Sequence, residues 1–472
     1  MSEIEEYDVV VIGGGPGGYV AAIKAAKLGA RVACVELPGE LGGTCTNWGC
    51  IPTKALIESS LKYREAKEAF ASHGVLVDNV RFDLAKINHF KSGIVNRLQR
   101  GIKILFKKNN VDNYEGRGKV AKASPPTVVV TFSDPGKEQK TLETKKIIIA
   151  TGSKPLMIPI PGLDGKNVIT SNDAIKLEKI PKNILIIGAG PIGLEFGCIY
   201  NSLGAKVVVV ELLEHILPLE DKEIATTLHR ALKKDGFDIY TSARLTKIED
   251  GPGEEKISTV VKENGEEIQI ETEMVLAAIG RKPVVENLGL EEIGVKVERG
   301  IAVNEKMETN VSGIYAIGDC IAKVMLAYVA SEEGIIAAKN ALGANSKMEY
   351  EAIPSCVFTS PEVASVGLNE KLAIEAGHEI KIGRFPFIAI GKSLILGEKR
   401  GLVKAIVDAE SSQILGIHIM GPRATELIAE ATLALKRKMT AHELIETLHA
   451  HPVLYEAIAE AVSAAIGEAI HG

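Results

Sequence analysis

The sequence predicts an α/β fold: two doubly wound units of parallel sheet, followed by an α+β tail. Three observations carry that prediction. A strand–glycine turn–helix–strand pattern occurs twice, at residues 7–36 and 182–211, and the copies align without a gap. Each copy is followed later by one more apolar strand that ends in glycine, within 146–152 and 274–281. From about residue 350 the texture changes to short strands and turns with no such glycine loop. Apolar runs alternating with helical periodicity suit parallel sheets covered on both faces.

Composition narrows the function. A chain of 472 residues suggests roughly three domains. It is 46% hydrophobic and 25% charged, ordinary for a globular protein with sizeable cores. Many glycines and few aromatics suit repeated tight βα turns. The net charge is −6, without a dense Lys/Arg stripe, which disfavours nucleic acid as a partner. No apolar stretch reaches the length of a membrane span. The start, Met1 to Glu6, is acidic and runs directly into a strand, unlike a signal peptide. Six cysteines do not make a disulfide framework, and the whole points to the cytoplasm or an equivalent reducing space. Cys34, Cys198, Cys320 and Cys356 lie in or beside apolar runs and are expected to be buried and inert.

Taken in order, the first copy is YDVVVIGGGPGGYVAAIKAAKLGARVACVE. Gly13 permits the turn, Gly15 lets a pyrophosphate approach the backbone, and Gly18 lets helix and strand pack closely. The phosphates then meet free amides at a helix N-terminus. Glu36, ending the second strand, is placed to accept from ribose hydroxyls. A few residues later comes GGTCTNWGCIPTKAL, with Cys45 and Cys50 five apart. A helix is expected to start after Pro52, which puts Cys50 just before a helix N-terminus that favours a thiolate. Cys45, one loop earlier, can close a small disulfide ring. The pair reads as a redox couple; a structural disulfide or two buried thiols are the alternatives, and a metal site is disfavoured because no second ligand pair follows.

Residues 58–110 read as helical and 111–150 as strand-rich, with 146–152 returning to the first sheet. The second copy, KNILIIGAGPIGLEFGCIYNSLGAKVVVVE, repeats the glycines as Gly188, Gly190 and Gly193 and the acid as Glu211. The chain is therefore expected to bind two dinucleotides. A dithiol exchanges two electrons, and flavin accepts pairs from thiols and passes them to nicotinamide, which assigns FAD to the first site. Glu211 would repel a 2′-phosphate, and no Arg follows it closely, so the second site is assigned to NAD rather than NADP. The strand Gly313 to Asp319 should return the chain to the first unit. Asp319 either holds a cofactor hydroxyl or caps a helix from about Met325. The tail is expected to hold strands at 355–358, 364–367, 379–386, 402–408 and 414–420, helices at 422–437 and 441–447, and a last helix from Ala457 to Ile470. His451 has a neutral-range pKa suited to taking a proton from a thiol, and Glu456 could fix its tautomer. His449 reads as structural.

The runs GGTCTNWGCIPTKAL, GAGPIGLEFG, AAIGRKP, GIYAIGDC, MLAYVASEEGI, IPSCVFTSPEVASVGL and HAHPVLYEA span the chain. In these the sequence resembles the pyridine nucleotide–disulfide oxidoreductases, in the branch that acts on dihydrolipoamide. The resemblance implies two Rossmann-like FAD/NAD-binding domains plus an α+β dimerisation domain. It divides the chain into an FAD region at 1–150, an NAD region at 151–280, a central region at 281–349 and an interface region at 350–472. It implies a homodimer that oxidises protein-bound dihydrolipoamide with NAD. The lipoyl-bearing partners would belong to 2-oxoacid dehydrogenase complexes or the glycine cleavage system. Cys45 would form the mixed disulfide with substrate, and Cys50 would be the thiolate beside the flavin. Lys54 and Glu195 would pair near the reactive flavin nitrogen. His451 and Glu456 would reach the partner subunit's site as base and orienting acid. Thr44, Gly118, Thr151, Gly152, Asp319, Met325, Leu326 and Ala327 join the FAD contacts, and Gly280 the NAD contacts.

Four positions depart from the family pattern. Val453 and Tyr455 stand where Thr and Ser are usual, Pro191 where a larger side chain often covers the nicotinamide pocket, and Trp48 where a smaller residue is common. Glutathione-type enzymes use NADPH and a basic pocket, against which Glu211 argues. Mercuric reductases need a C-terminal cysteine pair, and soluble transhydrogenases lack the redox cysteines. A non-catalytic scaffold would not need Cys45, Cys50, both glycine turns and His451.

Overall fold

The structure, a computed structural model, describes residues 4–132 and 139–471. The first three residues of the acidic start and the final Gly472 lie outside them. The described chain divides into two compact units, one of residues 1–55, 85–156 and 281–349, the other of residues 56–84, 157–280 and 350–472.

The first unit is built on a seven-stranded sheet. Ile4–Ile12 lies between Val32–Glu36 and Lys140–Ile149, parallel to both, and Val111–Glu115 extends the parallel edge. Ile314–Ala316 pairs in parallel with Lys140–Ile149, so the chain does return to its first sheet as the sequence predicts. Pro126–Thr131 and Arg117–Ala123 add an antiparallel flank. Val9, Val10, Val11, Ile147, Ile148 and Ile149 are fully buried, as apolar runs in a covered parallel sheet must be. Helix Pro16–Lys27 opens with Pro16 at a position that needs no amide donor. Helix Ala327–Ala341 packs closely on it because glycines stand at the crossing: a Cβ on Gly334 would come within 2.5 Å of the Gly17 carbonyl oxygen.

The span 58–110 is not one helical stretch. Cys50–Glu68 and Leu84–Lys108 are separated by a 3₁₀ turn, Phe70–His73, and an irregular segment. Gly74, at φ 76°, ends that turn in the left-handed conformation that glycine adopts without a Cβ penalty.

The second unit holds a five-stranded parallel sheet in the order Asp238–Tyr240, Lys206–Val210, Asn183–Ile187, Met274–Ala277, Val168–Thr170. Helix Pro191–Ser202 repeats the design of Pro16–Lys27, down to the first-turn proline. A three-stranded antiparallel sheet, Arg244–Asp250, Lys256–Val261 and Glu267–Thr272, was not anticipated. The tail forms a five-stranded antiparallel sheet in the order Ser355–Val357, Glu362–Gly367, Ile414–Gly421, Leu402–Asp408, Ile380–Pro386. Helices Ala424–Lys436 and Ala441–Ile445 match their expected positions. Short helices Glu370–Glu375 and Gly391–Leu396 are additional. The last helix is Glu456–Ile466, shorter than expected, because Gly467 at φ 80° forms its left-handed C-cap.

Cys34, Cys198 and Cys320 are buried, and burial pushes Cys198 up to about 12 and Cys320 up to about 11. Cys356 corrects the expectation: it is only half-buried, with its thiol toward the Thr425 carbonyl.

One polar cluster is buried inside the second unit. Lys404, 1% exposed, meets Asp221 at 2.9 Å, Glu370 at 2.8 Å and Glu223 at 3.2 Å. Burial pulls the Lys404 pKa down, but the carboxylates outweigh it and hold the ammonium charged. Removing one partner from such a buried pair typically costs about 3–5 kcal/mol, because the other charge is stranded.

Strand Ile380–Pro386 carries a close approach that tests the packing. A Cβ on Gly383 would lie 1.9 Å from the Ala461 carbonyl oxygen and 2.4 Å from the Ala465 nitrogen, in the last helix. Gly383→Ala is therefore expected to destabilise the protein by about 1–3 kcal/mol. Chemical denaturation should show it; a midpoint equal to the parent's would contradict this packing.

Candidate active site

The cysteine segment is fastened to the first glycine turn. The Gly42 N–H donates to the Gly14 carbonyl at 2.9 Å. Gly43 lies so close that a Cβ there would be 2.6 Å from Gly15 Cα. Cys45 sits inside a short helix, Gly43–Asn47, rather than in a loop. Cys50 is the first residue of helix Cys50–Glu68, three residues earlier than the sequence reading placed the start. Pro52 falls in the first turn, where its missing donor costs nothing. Thr53 braces that turn by donating from Oγ1 to the Gly49 carbonyl at 2.6 Å.

Cys45 and Cys50 carry free thiols hydrogen-bonded to one another; Cys50 is exposed and Cys45 half-buried. The hydrogen bond to Cys50, burial and the charge on Cys50 raise Cys45 well above the ordinary thiol value, and Lys54 partly opposes this. The N-terminus of the helix that starts at Cys50 is a place that favours a thiolate. Trp48, between them, is half-buried.

The glycine turn fits a dinucleotide. A Cβ on Gly13 would be 2.2 Å from the Ala150 carbonyl oxygen, and one on Gly18 would be 1.8 Å from the Gly13 oxygen. Gly15 meets only Gly43 Cα, at 3.8 Å, which leaves its backbone open to a phosphate. Glu36 closes the cradle: one carboxylate oxygen accepts from the Gly14 N–H at 2.7 Å and the other from the Leu37 N–H at 2.7 Å. Burial raises Glu36 to about 7, although these two donors oppose it.

Other candidate contacts gather in the same unit. Gly118 faces Ile12 and Val35, beside the carboxyl ends of two central strands. Thr44 is half-buried in the helix that carries Cys45. Thr151 donates from Oγ1 to the Val284 carbonyl at 2.6 Å, and Gly152 has φ 71° with open space beside it. Met325, Leu326 and Ala327 are half-buried and lead into helix Ala327–Ala341. Leu326 occupies the N-cap of that helix, so Asp319 is not its cap. Asp319 accepts from Ser153 Oγ and faces Arg281 Nε at 4.0 Å.

Sequence reasoning gave no role to Arg281 or Ser153. Arg281 donates from Nε to Ser153 Oγ and from Nη2 to the Ser153 carbonyl, both at 2.7 Å. Burial lowers its pKa, while Asp319 and Cys50 favour its charge. The available signal was an Arg directly after a strand-ending glycine, Gly280. Glu333 was also missed: fully buried, it accepts from the Gly318 N–H at 2.6 Å.

In the second unit the same cradle recurs. A Cβ on Gly188 would be 2.5 Å from the Ala278 oxygen and one on Gly193 2.1 Å from the Gly188 oxygen, while nothing lies within 4 Å of Gly190. Glu211 is buried and accepts from the Ala189 N–H at 2.7 Å and the Leu213 N–H at 2.9 Å. Gly280 is exposed at φ 123°. Pro191 starts the helix after the turn. Glu195 is buried and accepts from the Phe358 N–H at 3.0 Å.

Two His–Glu pairs lie side by side near the C-terminus. His451 is exposed, and its Nδ1 meets Glu456 Oε1 at 3.0 Å; the same oxygen accepts from the Val453 N–H at 2.9 Å. His449 Nε2 meets Glu430 at 2.8 Å, and its ring stacks on Tyr455 with centroids 3.9 Å apart. His449 thus anchors the segment, while His451 presents its other nitrogen outward.

The family model for pyridine nucleotide-disulphide oxidoreductases matches residues 7–334, and the model for the dimerisation domain of that family matches 353–462. The chain is 44% identical to a dihydrolipoyl dehydrogenase of Bacillus subtilis, covering 99% of both chains. It is 43% identical to a mitochondrial dihydrolipoyl dehydrogenase of Pisum sativum, covering 99% of this chain and 93% of that one. Among solved structures it is similar to LpdA of Mycobacterium tuberculosis, with a TM-score of 0.88 at 27% identity, over 96% of this chain and 99% of that one.

Glu36 sets a pH dependence. Its folded value, about 7, lies above the ordinary 4.5, so the folded chain holds the proton more tightly than the unfolded one. In the flavin-stripped protein, stability is expected to be undiminished below pH 4.5 and to fall by up to about 3 kcal/mol as pH rises to 7 and above. Urea unfolding of parent and Glu36→Gln should show this decline only in the parent. Identical slopes would mean that the carboxylate ionises without penalty.

Proposed function

The chain belongs to the pyridine nucleotide-disulphide oxidoreductase family, and on that premise we propose how its residues divide the reaction. It is an enzyme that oxidises dihydrolipoamide to lipoamide through a redox-active disulfide and FAD, and it reduces NAD to NADH. When bound, FAD accepts the electron pair from the thiols and releases it to the nicotinamide as hydride.

The turn of Gly13, Gly15 and Gly18 holds the FAD pyrophosphate, with Glu36 and Asp319 accepting from its hydroxyls. Thr44, Gly118, Thr151, Gly152, Met325, Leu326 and Ala327 line the rest of that site. Gly188, Gly190, Gly193, Glu211 and Gly280 hold NAD. Glu211 already accepts two backbone donors, and its remaining lone pairs suit ribose hydroxyls while its charge opposes a 2′-phosphate. Lys54 and Glu195 are assigned to the flavin's reactive side, as the family resemblance implies. We assign residues 1–150 to the FAD region, 151–280 to the NAD region, 281–349 to a central region and 350–472 to the interface.

His451 Nε2 removes the proton from one substrate thiol, while Glu456 on Nδ1 fixes the tautomer and supports the imidazolium. The substrate thiolate attacks Cys45 Sγ of the Cys45–Cys50 disulfide; that bond breaks and Cys50 leaves as the thiolate. The second substrate sulfur then attacks the first, its proton going to Cys45. Lipoamide closes, and both cysteines are left reduced. The raised pKa of Cys45 favours its leaving as a thiol. The observation that carries this reading is the fastening of the dithiol segment to the first glycine turn, from the Gly42 N–H to the Gly14 carbonyl.

The dimerisation-domain match supports a homodimer. His451 of one subunit serves the thiols of the other, and the lipoyl group arrives on a 2-oxoacid dehydrogenase complex or the glycine cleavage system, in the cytoplasm. Among the described residues no helix is long and apolar enough to cross a membrane.

His451→Gln is expected to slow dihydrolipoamide oxidation by about 10²–10⁴-fold while NADH-to-dye electron transfer stays near the parent rate. Parallel steady-state assays measure both. Equal losses in the two would remove His451 from the base role.

A further inference from the structure

We infer that Lys404, a buried residue of the tail sheet, is a positioning residue for the NAD-binding glycine turn and acts on it through Asp221. The inference rests on the reading that the second glycine turn holds NAD.

The connection alternates hydrogen bonds with short stretches of the backbone. Lys404 Nζ donates to both Asp221 oxygens, at 3.1 and 2.9 Å. Asp221 in turn caps helix Lys222–Lys234, accepting from the Glu223 and Ile224 N–H groups. The preceding residue, Glu220, donates its N–H to the Leu217 carbonyl at 2.9 Å, and its carboxylate accepts from Ser355 Oγ at 2.7 Å. The Leu217 N–H donates to the Ala189 carbonyl at 2.9 Å. Ala189 stands between Gly188 and Gly190, and its own N–H is held by Glu211.

The glycine turn is therefore tied twice. Glu211 holds the Ala189 amide, and a strap from Leu217 to Asp221 holds the Ala189 carbonyl. Leu217 sits at φ 45°, a conformation that a branched side chain keeps only when its surroundings over-determine it. Here the anchor is the far end of the strap, fixed by Lys404 and Ser355. Small displacements at a binding site cost affinity out of proportion to their size. Loss of the anchor should therefore loosen the turn that Gly190 opens to the pyrophosphate and leave the thiol chemistry of the other unit untouched.

The test uses the FAD-loaded enzyme carrying Lys404→Gln or Asp221→Asn, beside Glu211→Ala. Asn remains a good helix cap, so Asp221→Asn removes the charge while keeping the cap and stays informative if Lys404→Gln does not fold. Two readouts separate positioning from general damage: the KM for NAD, and the stopped-flow rate of flavin reduction by dihydrolipoamide without NAD. Both anchor variants are expected to raise the NAD KM about tenfold with flavin reduction unchanged. An unchanged KM in the Asp221→Asn enzyme, or a parallel fall in both half-reactions, overturns the inference. If Glu211→Ala weakens NAD and the anchor variants do not, the inference alone fails. If Glu211→Ala leaves NAD binding intact, the NAD assignment fails and takes the inference with it.

Discussion

A carboxylate clasping its own glycine turn is the constraint on which both βαβ units, and the cofactor sites proposed for them, depend. Glu36 accepts from the Gly14 N–H and Glu211 from the Ala189 N–H, each at 2.7 Å and each across 22 residues. The clasp holds the end of the second strand against the turn between first strand and helix. Glycine is needed wherever carbonyls crowd the turn: a Cβ at Gly18 or Gly193 would fall within about 2 Å of a backbone oxygen. The first clasp is strained by burial, which raises Glu36 to about 7. Hydroxyl donors would relieve that penalty.

The dithiol takes its position from the first clasp. Gly42 and Gly43 lay the cysteine segment on the turn, and the helix that starts at Cys50 supplies the field that favours a thiolate there. Lys54, one turn into that helix, adds positive charge near Cys45. A half-buried Arg281, held by Ser153 and Asp319, adds more near Cys50. The group proposed to handle the proton, His451, belongs to the other unit, where Glu456 meets its Nδ1 and His449 stacks on Tyr455.

Much of this was legible in the sequence, because the governing contacts are local or repeated. Gly13 to Glu36 and Gly188 to Glu211 are single βαβ units whose spacing states their geometry. The strand ends at Thr151 and Asp319 were readable as apolar runs stopped by polar residues. What was not legible is long-range or compensates for a local rule. Lys404 and Asp221 are 183 residues apart, and a lysine inside an apolar strand gives no hint of three carboxylates waiting for it. The antiparallel strands from Arg244 to Thr272 were missed, although Glu267–Thr272 alternates polar and apolar residues as a half-buried strand does. The break after Glu68 was missed because Val75, Leu76 and Val77 look like core residues and yet are exposed.

The central claim is that electrons leave the substrate through Cys45 and Cys50 before they reach the nicotinamide. Anaerobic addition of dihydrolipoamide to the FAD-loaded enzyme, then alkylation and peptide mapping, tests it most directly. The account predicts that the label appears at Cys45 and Cys50 together and is lost when NAD is added before the alkylating agent, with one NADH formed for each pair of thiols reoxidised. Full NADH formation with neither cysteine ever labelled would contradict it.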